Sequence, residues 1–348
     1  MNALTRLRSS QSGAFGVILL FAVVVAALAA SVRAQQCDIT QGGLPFFVNI
    51  AVQGLANGAI YALIALGYTM VYGIIELINF AHGDVFTLGA FFSLPLLGLF
   101  GLTEAKEFTI VTALLLLLVL VIVMVLTGGV NVLIERVAYR PLRNSPRLAP
   151  LITAVGMSFV LEGIMFLWRG PFNLHYPDIL PPARINLVGS ASIGVKDIVV
   201  VGLAVVLVIA LSLFINRSKL GKAMRATAQD RDASQLMGID INRTIAATFF
   251  IGAVLAAAGG IIYGLYFNSI DFQLGFSAGL VAFTAAVFGG IGNIQGAALG
   301  GLIIGMMQAY NDGYCSSTWT RVLIFAILIL VLVFRPSGLL GTNVGEKA

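Results

Sequence analysis

The chain has 348 residues, of which 59% are hydrophobic and only 10% are charged, and its mean hydropathy is +0.99. Soluble domains carry about 25% charged residues, so this composition excludes a water-soluble globular protein. The 20 Lys and Arg residues exceed the 15 Asp and Glu residues, which in a membrane protein indicates basic cytoplasmic loops rather than nucleic-acid binding. We predict an all-α polytopic integral membrane protein.

Apolar runs of the length that crosses a bilayer, about 20 residues, recur along the chain. One further stretch, Gly279–Tyr310, is apolar but interrupted by GGIGNIQG at 289–296, which predicts two short or discontinuous helices. Counting these two, we expect nine spans without the first run and ten with it. The other predicted spans are Ala14–Val32, Phe46–Gly73, Val85–Leu102, Phe108–Asn131, Leu151–Trp168, Ile198–Asn216, Thr244–Phe267 and Val322–Phe334.

The first run has the features of a secretory signal peptide, because Arg6 and Arg8 precede it and Val32-Arg33-Ala34 provides a cleavage pattern before Gln35. Its length equally fits a retained signal anchor. We therefore predict a signal peptide or signal anchor at 1–34, a transmembrane domain at 35–342 and a cytoplasmic tail at 343–348.

Two basic segments determine the orientation. Segment 132–148 carries four Arg residues, and segment 216–243 carries six Lys or Arg residues. The positive-inside rule assigns both to the cytoplasm, and the two spans between them make this consistent. Loops 33–45, 103–107, 169–197 and 311–320 then lie outside. Cys37 and Cys315 both fall outside, where disulfides persist, so a bridge between them is one hypothesis.

Two segments of the chain resemble each other. Ile78–Phe91 and Ile270–Phe283 share six of fourteen residues without a gap, and one residue of slack upstream aligns Tyr72-Gly73 with Tyr263-Gly264. Chance similarity between apolar segments is the alternative. The first segment falls at the cytoplasmic end of its spans and the second at the outer end, which is typical of inverted-topology repeats in transporters. Such repeats predict a substrate path near their interface.

Polar residues within apolar surroundings are the candidate path residues, since burying them in a bilayer is costly. The densest cluster lies near Gly83 and predicts a broken or re-entrant segment that lines a cavity, although a plain cytoplasmic loop remains an alternative. A second group recurs every four residues on one helix face, as a pore stripe or as a row of interhelical hydrogen bonds. The cluster is Glu76, Asn79, His82 and Asp84, and the stripe is Asn49, Gln53, Asn57 and Tyr61.

Other features of the sequence are structural or remain ambiguous. Glu162 is a mid-span carboxylate that either pairs with a neighbouring helix or handles a proton or cation. Small residues four apart, among them Gly292, Gly296 and Gly300, predict close helix packing. No spacing of His, Cys or carboxylates suggests a metal site, and no nucleophile–base pair suggests an enzyme.

Residues 217–243, here called the coupling loop, carry too many charges to span a membrane. We predict one short surface helix that ends at Gly238. It is either a solvated connector or a docking helix, whose Arg225 and Arg231 would meet carboxylates of a cytoplasmic partner. The chain has no phosphate-binding loop of the Walker A type, because Gly221-Lys222 is followed by Ala223 and lacks the upstream glycine.

Five segments resemble the LivH-type permeases of branched-chain amino acid ABC transporters. They are Ala56–Phe91, Glu135–Ser158, Gly221–Asp240 (GKAMRATAQDRDASQLMGID), Ala282–Gly301 (AFTAAVFGGIGNIQGAALGG) and Phe334–Gly341 (FRPSGLLG). The resemblance extends in order over about Gly43–Gly341. The N-terminal extension through Gln36 departs from it.

The resemblance implies a bacterial inner-membrane permease without an ATPase site or cofactor of its own. Its partners would be a second, LivM-type permease, two cytoplasmic ATP-binding subunits and a periplasmic protein that delivers leucine, isoleucine or valine. Related permeases import urea and short amides, and a proton-coupled secondary transporter is a further alternative. The positions that would contact an ATPase are Arg225, Ala226, Arg231, Ala233, Leu236 and Gly238.

Overall fold

The computed structural model describes residues 43–103, 108–143, 145–146, 148–186 and 191–341. The predicted segment 1–34, Cys37 and the tail 343–348 lie outside these residues. The described part is mainly helical, with a π-helix at Glu135–Tyr139 and a 3-10 helix at Arg140–Leu142. The α-helices are α1 (Gly43–Ile75), α2 (Ala81–Leu99), α3 (Ile110–Ile134), α4 (Leu148–Arg169), α5 (Val195–Arg217), α6 (Lys219–Gln229), α7 (Arg231–Leu236), α8 (Ile241–Phe267), α9 (Leu274–Gly289), α10 (Ile294–Tyr314) and α11 (Ser317–Phe334).

Seven helices in the described residues are long and apolar enough to cross a membrane, namely α1 to α5, α8 and α11. The all-α polytopic class is therefore confirmed. The stretch predicted to hold two short helices contains α9, of only 16 residues, and α10. Gly290 and Gly292, at φ of 112° and 92°, turn the chain between them. Only glycine adopts such angles without a steric cost.

Of the three glycines predicted to pack closely against another helix, two do so. Gly296 and Gly300 lie on α10 against backbone atoms of α9, at Gly289 and Ala285, where any Cβ would overlap them. Gly292 belongs to the preceding turn and has no atom within 4 Å of a Cβ position. It was misplaced because the four-residue spacing continues across the end of a helix.

Helix α1 forms the centre of the bundle. Its glycines lie on α10, and a Cβ on Gly54 or Gly58 would lie 2.9 Å from the Met306 Cα or 2.7 Å from the Leu302 Cα. Small residues allow such close approach in lipid, where hydrophobicity does not drive helix association. Helices α3, α4, α5 and α11 form the periphery and expose apolar side chains, including Leu114, Leu133, Ile152, Leu167, Val206 and Val333.

The two predicted repeat segments share a left-handed residue at the end of a long helix. In the first, α1 ends before Glu76, whose φ is 59°, and in the second α8 ends before Asn268, whose φ is 55°. No other non-glycine residue in the described ranges has a positive φ. These two residues are equivalent in the gapless alignment, since both pairs 76/268 and 78/270 differ by 192.

Hydrogen bonds extend this equivalence in both directions. The Glu76 amide donates to the Tyr72 carbonyl at 2.8 Å, and the Asn268 amide donates to the Gly264 carbonyl at 2.9 Å. Downstream, His82 N to Asn79 O at 3.1 Å matches Leu274 N to Asp271 O at 3.3 Å. The structure therefore pairs Tyr72 with Gly264, and the one-residue slack expected upstream is wrong at this point.

The repeats meet across a pseudo-two-fold axis between α2 and α9. A Cβ on Gly275 would lie 2.5 Å from the Gly83 carbonyl oxygen, and a Cβ on Gly83 would in turn overlap the Gly275 oxygen. A contact in which equivalent residues touch each other reciprocally is what a two-fold relation produces. The same relation exchanges α1 with α8, α2 with α9 and α3 with α10. The packing agrees with it: α1 contacts α9 and α8 contacts α2, while α1 contacts α10 and α8 contacts α3.

The coupling loop contains two helices, so the expectation of a single helix is wrong. Asp230 leaves the helical conformation, with φ of −155° and ψ of 114°, and its side chain accepts a hydrogen bond from the Ala233 amide at 3.0 Å. Asp230 therefore caps a new helix, α7. As predicted, the helical region ends at Gly238, which has a φ of 83°.

The loop after α4 folds back onto the bundle, which its sequence did not indicate. It includes strands β1 (Leu174–His175), β2 (Arg184–Asn186) and β3 (Ser192–Gly194), and β1 pairs antiparallel with β4 (Ser269–Ile270). Tyr176 is fully buried against Gly264, and its hydroxyl is 2.6 Å from the Ser93 hydroxyl. Burial raises the pKa of Tyr176 above its ordinary value.

Candidate substrate path and coupling surface

Two cavities lie at opposite ends of α1. The inner cavity, of about 490 Å³, is lined by Ile74 and Glu76 at the end of α1, by Arg143 and by residues 227–232 of the coupling loop. The outer cavity, of about 560 Å³, is lined by the first turns of α1, by residues 181–184 and by the start of α5. We name the ends from the orientation that the positive-inside rule predicts.

The two basic segments lie at the same end, as predicted. Arg143, from segment 132–148, donates to the Asn242 side chain at 2.7 Å. Arg143 also forms a salt bridge with the buried Glu135. Burial lowers the pKa of Arg143, and the nearby positive charges of Arg140 and Arg231 act in the same direction.

The stripe on α1 begins in the outer cavity. Asn49 and Gln53 line this cavity, and the Asn49 Oδ1 accepts a hydrogen bond from the Ser192 amide at 3.0 Å. Asn57 has a buried Oδ1 without a partner among the described residues. Tyr61 donates to the Gln308 Oε1 of α10 at 2.8 Å. Both interpretations therefore hold in part: Asn49 and Gln53 line a cavity, and Tyr61 joins two helices.

The polar cluster near Gly83 does not form one site. The predicted break in the helix is present, because residues 76–80 are not helical and separate α1 from α2. Glu76 is exposed in the inner cavity, whereas Asn79 is buried and accepts a hydrogen bond from the Tyr139 hydroxyl at 2.6 Å. The cluster was misjudged because α2 begins at Ala81, before the predicted start at Val85.

His82 fills the space between helices. It is fully buried, its ring meets Tyr68 edge-on with centroids 4.9 Å apart, and a Cβ on Gly67 would overlap it. This environment is that of a packed side chain, not of a cavity wall.

Asp84 and Glu162 face each other between α2 and α4. The Ser158 hydroxyl donates to the buried Asp84 carboxylate, and Glu162, one turn along α4, is close enough to Asp84 to interact electrostatically. The described residues give Glu162 no hydrogen bond or salt bridge, so the expected pairing with a neighbouring helix is not observed.

The two repeat ends differ in their side-chain contacts. At the outer end, the Asn268 side chain accepts from the Lys196 Nζ at 3.1 Å and donates to the Tyr176 carbonyl at 3.3 Å. At the inner end, the equivalent Glu76 is exposed and makes no such contact with described residues. The folded-back loop therefore covers the outer end, while the inner end opens into a cavity.

The coupling loop has one face against the bundle and another exposed. Met224 and Thr227 are buried, whereas Leu236 and Met237 are 89% and 84% exposed. Large apolar side chains this accessible, in a segment that does not span the membrane, indicate a binding surface for another protein. Met237 was not among the predicted contact positions. Of those positions, Ala233 and Gly238 are exposed and Ala226 is half-buried.

Both arginines of the coupling loop that were predicted to meet a partner contact their own chain. Arg225 donates to the Ile215 carbonyl at the end of α5, and Arg231 donates to the Ile74 carbonyl at the end of α1, at 2.9 Å. That they also meet a partner's carboxylates stays a prediction. The last carbonyls of a helix lack intrahelical partners and carry partial negative charge, which favours such donors.

Cys315 directly follows α10, at the predicted outer end. Its proposed partner Cys37 lies outside the described residues, so the bridge stays a prediction.

Comparison with known proteins identifies the family. Residues 50–332 match the family described as branched-chain amino acid transport system / permease component. The chain belongs to this family. It is 42% identical over 302 residues to the high-affinity branched-chain amino acid transport system permease protein BraD of Pseudomonas aeruginosa, covering 85% of this chain and 96% of that protein.

Two further relatives agree with this family. LivH of Escherichia coli strain K12, which has the same description, is 42% identical over 307 residues, covering 87% of this chain and 98% of LivH. A probable branched-chain amino acid transport permease protein LivH of Methanocaldococcus jannaschii is 28% identical over 297 residues, covering 81% of this chain and 88% of that relative. No solved structure matches the chain. Family and fold together establish a multi-pass membrane permease component.

Proposed function

We propose that this chain is the membrane subunit of an ATP-driven importer in the bacterial inner membrane that carries branched-chain amino acids. It pairs with a second, LivM-type permease and two cytoplasmic ATP-binding subunits, which bind the ATP. A periplasmic binding protein delivers leucine, isoleucine or valine. The substrate assignment is supported by relatives of 42% identity, named for branched-chain amino acid transport, over nearly their whole length.

The observation that carries the proposed ATPase contact is the exposure of Leu236 and Met237, at 89% and 84%. An apolar pair surrounded by charged residues is the usual centre of a protein interface. The ATPase subunit binds this pair and covers it. The neighbouring Ala233 and Gly238 leave room for a partner surface to approach.

The proposed path follows α1 from the outer cavity to the inner one. Asn49 and Gln53 receive the solute, and Asn57 and Tyr61 continue the polar face toward the inner half of the helix. The solute leaves through the inner cavity beside Glu76. Asn79, His82 and Asp84 stabilise the packing of α2 and do not contact the solute.

Uptake measurements test this proposal. In cells deleted for this chain, the wild-type chain should restore uptake of labelled leucine, isoleucine and valine but not of urea. Leu236→Asp should abolish uptake and release the ATPase subunit from the purified complex, because a buried interface does not tolerate an unpaired charge. The control is Leu99→Asp, which places the same charge at a 77% exposed position at the end of α2, away from the coupling loop. This variant should retain the ATPase. Restoration of urea uptake alone, or a Leu236→Asp complex that still holds its ATPase, would contradict the proposal.

A further inference from the structure

We propose that Arg231 is the positioning residue that couples the coupling loop to α1, so that movement of the docked ATPase moves the helix along which the solute passes. This inference rests on the proposed function above. It assigns one residue of this chain to the step between ATP hydrolysis and opening of the path.

The first observation is the contact itself. Arg231 is the first residue of α7, five positions before the exposed Leu236, and its Nη2 lies 2.9 Å from the Ile74 carbonyl oxygen. Ile74 is the penultimate residue of α1. A guanidinium that donates to a helix-terminal carbonyl forms a charge-assisted bond, which is stronger than a neutral hydrogen bond. Helix α7, which carries both Arg231 and the exposed Leu236, is thus attached directly to the end of α1.

The second observation is the continuity of α1. It runs for 33 residues from Gly43 to Ile75, with its single proline, Pro45, in the first turn. The 26 residues from Asn49 to Ile74 therefore form a rod of about 38 Å. A displacement at Ile74 is transmitted to Asn49 and Gln53 in the outer cavity, because the rod has no interior break.

The third observation is how α1 is held. Its main partner is α10, and glycines on both helices bring backbone against backbone, as where Gly58 meets Gly305. Side chains join the two helices as well, since Phe46 packs edge-on against Tyr314 and the Tyr61 hydroxyl donates to α10. Close-packed elements of this kind transmit strain. A pull at the inner end of α1 therefore moves α1 and α10 together.

The charges around Arg231 leave the bond intact. Arg143 faces the same cavity, but its charge is paired with Glu135. The exposed Glu76 carboxylate lies in the cavity too, two residues beyond Ile74. Both the helix end and this carboxylate attract the guanidinium, which keeps Arg231 at the end of α1.

The test replaces Arg231 and measures coupling in the complete transporter. Arg231→Met keeps the apolar stem but removes every donor, so we expect leucine uptake to fall about tenfold or more, the size of a single coupling contact. Binding of the ATPase subunit and ATP hydrolysis should persist, so more ATP is consumed for each leucine imported. Arg231→Lys keeps a positively charged donor group, so it should retain part of the uptake that Arg231→Met loses. Arg243→Met, at a side chain 89% exposed and paired with Asp240, is the matched control and should behave as wild type.

The outcomes separate this inference from the proposed function. Uptake by Arg231→Met within twofold of wild type would overturn the inference, and so would loss of the ATPase subunit, because Arg231 would then be a docking contact. If Arg231→Met does not assemble, Arg231→Gln is measured against the same criteria. Absence of an ATPase subunit from the wild-type complex would instead refute the proposed function.

Discussion

The contact on the pseudo-two-fold axis gives a sharp stability prediction. Gly83 and Gly275 lie so close that a Cβ on either would overlap or crowd the carbonyl oxygen of the other. Ordinary carbon contacts are about 3.5 Å or longer, so in Gly83→Ala the helices α2 and α9 must separate locally by roughly 1 Å. Overpacking of this kind costs about 1–3 kcal/mol. We expect Gly83→Ala and Gly275→Ala each to lower the thermal midpoint by at least about 2 °C.

The assay is heating of the purified full-length protein in detergent, followed by size-exclusion chromatography of what remains folded. The double variant should lose less thermal stability than the two single variants lose together, because the first alanine has already separated the helices. Gly129→Ala is the control: it is exposed on α3 with no atom within 4 Å of a Cβ position, so stability should not fall. If the losses of stability are additive, or if Gly83→Ala is as stable as Gly129→Ala, the close contact of Gly83 with Gly275 on the pseudo-two-fold axis is refuted.

Three further variants test the turns at the ends of α1 and α8 and the source of energy for transport. Glu76→Gly should raise stability by about 0.5–1 kcal/mol, because it relieves a left-handed conformation that costs a side chain about 1–2 kcal/mol. Asn268→Gly should lower stability, because asparagine tolerates that conformation and its contacts with Lys196 and Tyr176 are lost. If the thermal midpoints of the two variants shift in the same direction, this contrast is contradicted. Glu162→Gln should leave leucine uptake within about twofold of wild type if transport is driven by an ATPase. Abolished uptake with the ATPase still bound would favour a proton-coupled mechanism.

The fold could be predicted from the sequence where its physical cause is local. Apolar length determines a membrane span, so the seven long helices and the interruption at Gly290 and Gly292 follow from composition. The repeat could be found because Ile78–Phe91 and Ile270–Phe283 keep six identical residues of fourteen. Helix starts were less accurate: Asp84 and His82 looked like loop residues, yet they belong to α2 and are buried by its neighbours.

The site was harder to predict because partners distant in the chain decide each polar residue's role. Tyr61 is 247 residues from Gln308, and Arg231 is 157 residues from Ile74. Helical spacing can place Arg231 on a surface, but it cannot show that the end of α1 lies beneath it. Met237 carried a signal that was missed: a large apolar residue before a helix-ending glycine, in an otherwise charged loop.

The central claim is that work enters this chain through an ATPase bound at the coupling loop. A photo-crosslinking residue at position 237, activated in native membranes, tests this most directly. We expect an adduct with the mass of this chain plus one ATP-binding subunit. Position 99, which is 77% exposed at the end of α2, should give no such adduct. If position 237 yields no such adduct, or is labelled by an impermeant reagent added to intact cells, the claim is contradicted.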